Sequence, residues 1–204
     1  MKTITRWTDG TTISQGETWQ DAINAAPRNA WGGANLTGAI LTGANLTDAR
    51  LTGARLTGAI LTDARLTDAR LTDAILTDAR LTDAILTRAD LTGVDLTGVD
   101  LTSIGYAIPV VADLDARMLA AVEASPDALE MARWHTCETT HCRAGWAITL
   151  AGVAGRELEA RIGSSAAGAL IYVASTGRGQ VPNWYASNED ALADIRRCAA
   201  LVTT

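Results

Sequence analysis

At 204 residues, 48% of them apolar, the chain is too hydrophobic to be wholly disordered and long enough for one or two small domains. Its formal net charge of −6, with lysine only at Lys2, argues against a general affinity for nucleic acid or for anionic membranes. No run of about 18 apolar residues and no signal-peptide pattern is visible, so we expect a cytoplasmic protein without a membrane helix.

Residues 1–33 predict a cap for the segment that follows. Letters alternate on both sides of Asp9-Gly10, a dipeptide typical of β-hairpin turns. Further on, Thr18 is followed three residues later by Asp21, which is the spacing of a helix N-cap pair. We therefore expect a hairpin and then a short amphipathic helix.

A five-residue repeat fills the next part of the chain. Leucine recurs fourteen times at every fifth position from Leu36 to Leu101, always followed by threonine, with alanine or valine two positions before it. This period fits neither a helix nor a long strand. The chain must therefore turn every five residues, with leucine and the small residue pointing inward, and the Gly or Asp that follows most threonines suits a tight corner.

The segments "ANLTG", "ARLTD" and "ADLTG" closely resemble the pentapeptide repeat family, whose consensus is A-(D/N)-L-x-x. The resemblance covers residues 34–103 and implies a right-handed quadrilateral parallel β-helix with four repeats in each coil. On that basis we assign residues 34–107 to a pentapeptide repeat solenoid. Its coils would stack about 4.8 Å apart, like strands in a sheet.

The residue before each leucine should point outward, and sorting these residues by every fourth repeat predicts the surface. Ile40, Ile60, Arg80 and Asp100 should share one side, and Arg50, Arg70 and Asp90 another. Stacked arginines repel, so we expect nearby aspartates to compensate them: Asp48, Asp68 and Asp73. The candidate interaction residues are the exposed apolar pair and the acidic outward run: Ile40, Ile60, Asp90, Asp95 and Asp100. The alternative is a solvated, charge-mixed face.

Residues 108–204 lose the five-residue period and predict a small all-α domain. Five helical segments are visible, the second beginning at Thr139 or Thr140, the third ending at Gly163, and the last opened by Ser187 with Asp190. This part resembles a helical module appended to some pentapeptide repeat proteins, a resemblance that implies no activity.

The densest group of reactive side chains lies within residues 135–142. Four residues are candidate zinc ligands because zinc takes nitrogen and sulfur donors: Cys137, His141, Cys142 and Cys198. His135 could complete such a site or act with Cys142 as a Cys–His nucleophile, and a Cys137–Cys142 disulfide is a further alternative. The spacing fits no standard ligand pattern, so we expect no metal, no cofactor and no catalytic residue, with the free cysteines acting as small buried hydrophobes.

These patterns together predict a non-enzymatic scaffold or protein-interaction protein, active as a monomer or a homodimer, with a protein partner and without direct nucleic-acid or membrane binding. One alternative follows from the resemblance: some pentapeptide repeat proteins mimic DNA, bind DNA gyrase or topoisomerase, and protect it from quinolones or toxins. The repeat carries nine Asp against six Arg, which does not favour this alternative. A metal- or thiol-dependent activity in the helical domain is the other.

Overall fold

The computed structural model describes residues 1–125, 128–131 and 141–201, and the chain divides into two compact units. The repeat unit contains Met1–Tyr106 together with Gly179–Val181, and the helical unit contains Ala107–Arg178 and Pro182–Thr204.

The repeat unit begins with the hairpin and the helix that the sequence predicts. Strands β1 (Lys2–Arg6) and β2 (Thr12–Gly16) pair antiparallel, and helix α1 follows at Trp19–Ala25. The Thr18 hydroxyl accepts from the Asp21 amide, while the Asp21 carboxylate accepts from the Thr18 amide at 3.0 Å. This reciprocal capping box satisfies two backbone donors at the helix start, and it confirms the predicted cap.

Strand β1 also joins the hairpin to the repeats. It pairs antiparallel with β3 (Ala34–Asn35), so the three strands form one sheet in the order β2-β1-β3. The Trp7 indole donates to the Gly53 carbonyl at 2.9 Å, and its ring stacks on the Arg55 guanidinium at 4.1 Å. The hairpin is thereby fixed to the first coils by backbone pairing and by a cation–π contact.

Beyond β3 the chain returns to the same row every twenty residues, and we call each twenty-residue turn a coil. Parallel bridges link residues twenty positions apart, from Asn35–Arg55 to Ile75–Asp95. The Leu66 amide donates to the Ile85 carbonyl at 2.8 Å, and the Arg65 amide donates to the Ala44 carbonyl at 2.9 Å. All leucines from Leu36 to Leu96 and all the alanines two positions before them are buried, which confirms the predicted inward positions.

Left-handed backbone makes the corners. The residue after each threonine from Thr37 to Thr97 has a positive φ, including six aspartates with φ from 53° to 59°. Asp tolerates this region better than most residues do, because its short side chain can bond locally. Arg88, with φ 54°, is the one corner residue of this series that is neither Asp nor Gly, and its side chain forms an ion pair with Asp68.

A three-residue segment from late in the chain closes one edge of the last coil. The Leu96 amide donates to the Gly179 carbonyl at 2.8 Å, and the Val181 amide donates to the Val94 carbonyl at 2.9 Å. Asp95 and Gln180 form an antiparallel bridge. These bonds satisfy backbone groups that would otherwise form an open strand edge, which is a site of self-association in many sheets.

Replacing Gly179 by alanine should release this closing segment. A Cβ atom at position 179 would lie 2.2 Å from Thr97 Oγ1 and 2.4 Å from Thr97 Cα, and the backbone atom cannot rotate away. We expect the Leu96 and Val181 amides to lose their protection from hydrogen exchange, measured by NMR.

Gly177→Ala is the control, since position 177 has φ 68° and open space around it. It should cost about 1 kcal/mol in backbone strain and leave the Leu96 amide protected. Equal protection of Leu96 in Gly179→Ala and in the wild-type protein would contradict the assigned closure.

The helical unit contains five α-helices within its described residues: α2 (Leu114–Glu123), α3 (Arg143–Leu150), α4 (Gly152–Ile162), α5 (Ser164–Thr176) and α6 (Asn188–Ala200). Helix α6 opens at Ser187, whose hydroxyl accepts from the Asp190 amide, as predicted. Helix α4 ends at Gly163, also as predicted. Among the described residues, no helix has the length and apolar character needed to cross a membrane.

The predicted start of α3 at Thr139 or Thr140 is wrong. The helix begins at Arg143, and Cys142 is its N-cap, with extended backbone and a thiol that accepts from the Gly145 amide at 3.5 Å. Hydroxyl side chains are better caps than thiols, which is why the sequence favoured the threonines. Both threonines lie outside the described residues.

Candidate functional site

The bridges between coils sort the outward side chains into four rows, each named here by its first residue. The Ile40 row holds Ile40, Ile60 and Arg80, and the Arg50 row holds Arg50, Arg70 and Asp90. The Asn35 row holds Asn35, Arg55, Ile75 and Asp95, and the Asn45 row holds Asn45, Arg65 and Ile85. Neighbouring members of a row lie one coil apart, and backbone hydrogen bonds hold each row in register. The unit therefore presents different chemistry on each side of the coil.

The Ile40 row contains the two apolar candidates. Ile40 is 58% exposed, and Ile60, one coil further on, is half-buried. A large apolar side chain that is exposed on a rigid ladder has little freedom to fold back onto its own unit. The row therefore presents an apolar pair, Ile40 and Ile60, followed by Arg80.

The three acidic candidates do not share one row. Asp90 and Asp95 belong to the Arg50 and Asn35 rows, and Asp100 follows on the chain as the N-cap of a short 3₁₀ helix at Leu101–Ser103. Each carboxylate accepts from the amide and the hydroxyl of the threonine two residues on, at 2.6–3.1 Å. The structure thus gives these aspartates a local role in the turns.

Hydrogen bonding also affects how these carboxylates titrate. Burial opposes ionisation of Asp95, but the Thr97 hydroxyl and amide and the Thr77 hydroxyl lower its pKa. The hydroxyl and amide of Thr102 likewise lower the pKa of Asp100. A lowered pKa in the folded chain stabilises it above the ordinary carboxyl pKa of 3.8, and this contribution is lost as the pH falls.

The Arg50 row differs from the expectation. Asp68 was expected to compensate the stacked arginines, but it forms a two-point ion pair with Arg88, with both nitrogen–oxygen distances 2.6 Å. Hydrogen bonds from Arg88 lower the pKa of Asp68. Asp73 is directed at the next coil, where its Oδ1 lies 2.2 Å from the position of a Cβ on Gly93. Asp68 is therefore paired with Arg88, and Asp73 is directed toward the following coil.

The helical unit contains a cluster of buried charges that the sequence did not predict. Arg143, on α3, is only 2% exposed, and its Nη2 lies 3.4 Å from Asp115 of α2 and 3.0 Å from the Tyr172 hydroxyl of α5. Its Nη1 pairs with Asp194 of α6. Arg178 completes the group, with Nη1 2.5 Å from the second Asp115 oxygen.

This buried charge cluster joins α2, α3, α5 and α6 through one network. Burial raises the pKa of the Tyr172 phenol, so the hydroxyl stays protonated and neutral. Burial opposes ionisation of Asp194, but hydrogen bonds from Arg143 and Arg197 lower its pKa. The available signal in the sequence was an arginine in an otherwise apolar helix, "RAGWAITL". A buried arginine needs acidic partners, but spacing alone could not identify them.

The candidate metal ligands that the structure describes have other roles in the helical unit. Cys142 caps α3, and His141 packs edge-on against Trp146 with ring centroids 4.8 Å apart. Cys198 is a buried free thiol beside Asp194. Within residues 1–125, 128–131 and 141–201, no three His, Cys, Asp or Glu side chains form a group that could hold a metal. His135 and Cys137, and with them the proposed disulfide, lie outside these residues.

Comparison with known proteins agrees with the five-residue period. Residues 32–68 and 64–102 match the family model "Pentapeptide repeats (8 copies)". The chain therefore carries a pentapeptide repeat segment. No curated protein matches the chain.

Three solved pentapeptide repeat proteins are similar to part of it. HetL of the cyanobacterium Nostoc sp. strain PCC 7120, involved in heterocyst differentiation regulation, is 40% identical over 32% of this chain and 33% of its own, with a TM-score of 0.18. Rfr23 of the cyanobacterium Cyanothece 51142 is 36% identical over 33% and 49%, with a TM-score of 0.21. A protein of the Arabidopsis thaliana thylakoid lumen is 30% identical over 42% and 57%, with a TM-score of 0.17. The chain thus spans between a third and just over half of the length of these relatives.

Proposed function

We propose that this protein is a non-enzymatic interaction scaffold, and that its repeat segment is a right-handed quadrilateral parallel β-helix with a protein-contact surface on the Ile40 row. A turn every five residues and bridges every twenty residues support a coil with four sides. The similarity to pentapeptide repeat proteins supports the same architecture. The helical unit, residues 108–204, is proposed as the second domain.

One observation carries the functional proposal: Ile40 is 58% exposed on a ladder that cannot rearrange to bury it. Burying an isoleucine side chain in a partner contributes about 1.5–3 kcal/mol. A rigid row also loses little conformational entropy on binding, which favours recognition by surface complementarity.

The DNA-mimic alternative has less support from the same surface. A mimic of duplex DNA needs a dense array of free negative charge, since B-DNA carries one charge per about 1.7 Å. Here Asp68 is neutralised by Arg88, and the Arg50 row presents two positive charges in succession.

Affinity capture with three forms of the 204-residue chain tests the contact surface. We expect Ile40→Asn combined with Ile60→Asn to lose specific proteins that the wild-type chain captures from source-cell extract. Ile85→Asn is the matched control, because Ile85 is 39% exposed but lies in the Asn45 row. Equal capture by all three forms would contradict the assignment of the Ile40 row as the contact surface.

A further inference from the structure

Two arginines, Arg50 and Arg70, are stacked in the Arg50 row, and Asp90 follows Arg70 in the next coil. Arg50 and Arg70 form a parallel bridge, and both side chains are exposed. Among the described residues, neither guanidinium has a hydrogen bond or an ion pair. Like charges placed side by side on adjacent strands destabilise a sheet, so their persistence here requires a reason.

Two of the neighbouring acids are directed elsewhere. Asp68 is held at two points by Arg88, and Asp73 points toward Gly93 in the following coil. Asp90, the acid that follows Arg70 in the row, accepts hydrogen bonds from Thr72 and Thr92. Asp68 and Asp73 are thus directed away from the two arginines.

The backbone places Arg28 one coil before Arg50, because the Arg50 amide donates to the Arg28 carbonyl at 2.9 Å. The Arg28 side chain, however, bonds the carbonyl of Asn45, which belongs to the Asn45 row. The basic strip of the Arg50 row is therefore the pair Arg50 and Arg70.

We propose that this basic strip docks an acidic α-helix of a partner protein, with Arg50 and Arg70 each binding one carboxylate. Adjacent coils are separated by about 4.8 Å. Side chains four residues apart on a helix are separated by about 5–6 Å, whereas alternate residues of an extended strand are separated by about 6.6–6.8 Å. Arginine presents paired donors that match a carboxylate, so two glutamates one helical turn apart fit the two guanidiniums.

The strip lies on a different row from Ile40, so this proposal goes beyond the apolar contact surface and does not depend on it. A failure of the acidic-helix experiment leaves the capture experiment unaffected. Conversely, loss of the Ile40 contact leaves the charge on the Arg50 row unchanged.

Fluorescence anisotropy with a labelled helical peptide tests the proposal. The probe is an alanine-based peptide of about 16 residues, long enough to be helical, with glutamates four positions apart on one face, and its counterpart has glutamine there. At low ionic strength, we expect the wild-type chain to bind the glutamate peptide about fivefold to tenfold more tightly, which is the range that two exposed charge pairs supply.

Matched double variants assign this preference to the row. Arg50→Gln with Arg70→Gln should remove it, while Arg65→Gln with Arg117→Gln makes the same change in net charge at two exposed arginines outside the Arg50 and Ile40 rows and should keep it. Equal loss in both variants, or no preference for the glutamate peptide in the wild-type chain, would overturn the proposal.

Two further measurements distinguish other occupants of the basic strip from an acidic helix. A duplex DNA oligonucleotide that binds more tightly than the peptide and depends on Arg50 and Arg70 would replace the acidic helix with nucleic acid. Sedimentation showing a wild-type dimer that Arg50→Gln with Arg70→Gln dissociates would replace it with a second copy of the chain.

Discussion

Leu66→Ala should destabilise the repeat unit by about 2–5 kcal/mol, because it removes a buried side chain and leaves a cavity. Leu66 is 0% exposed, and its amide bonds the coil that follows. Leu46 and Leu86, one coil on either side, are also buried. Backbone bonds fix the coil spacing, so neighbouring coils cannot close the gap.

Equilibrium urea unfolding of the full chain measures this effect, with Arg65→Ala as the control. The Arg65 side chain is exposed and should contribute under about 0.5 kcal/mol. If the two variants proved equally mild, leucine could not be the inward residue, and the coil assignment would fail with it.

Asp115→Asn should have a comparable or larger effect, in the helical unit. Asp115 is 1% exposed and bridges Arg143 and Arg178, so the change leaves the buried Arg143 guanidinium with Asp194 as its remaining acidic partner. Removing one partner of a buried ion pair costs about 3–5 kcal/mol. Urea unfolding, followed by the indole NMR signal of the buried Trp184, measures the loss.

Two further variants separate the buried charge from ordinary surface pairing. Glu123→Gln breaks an ion pair with Arg196 in which both side chains are about half exposed, and it should cost under about 1 kcal/mol. Adding Arg143→Met to Asp115→Asn should recover part of the stability, because it removes a buried charge that has lost one of its two acidic partners. A mild effect of Asp115→Asn alone would contradict a role for the buried charge cluster in holding the helices together.

The parts that could be predicted from the sequence are those with a local or periodic cause. The buried leucine and alanine columns follow from the five-residue period, and the left-handed corners follow from Asp and Gly at fixed positions. The capping pairs at Thr18 and Ser187 depend on residues three positions apart. Each of these features is set by neighbours in the chain, so the pattern alone identifies it.

The parts that were missed depend on distant partners. The closing segment at residues 179–181 is too short to show a period, and it pairs with residues more than 80 positions earlier. The ion pair between Arg88 and Asp68 competes with the expected compensation of Arg50 and Arg70. Which of these pairings Asp68 forms depends on side-chain geometry across two coils, and the spacing of residues in the sequence does not determine it.

Site-specific photo-crosslinking tests the proposed contact surface most directly. A photoreactive residue placed at position 40, and in a separate variant at position 85, would be activated in source-cell extract. The scaffold proposal predicts a discrete protein adduct from position 40 that position 85 does not give. No adduct from position 40, or the same adducts from both positions, would contradict it.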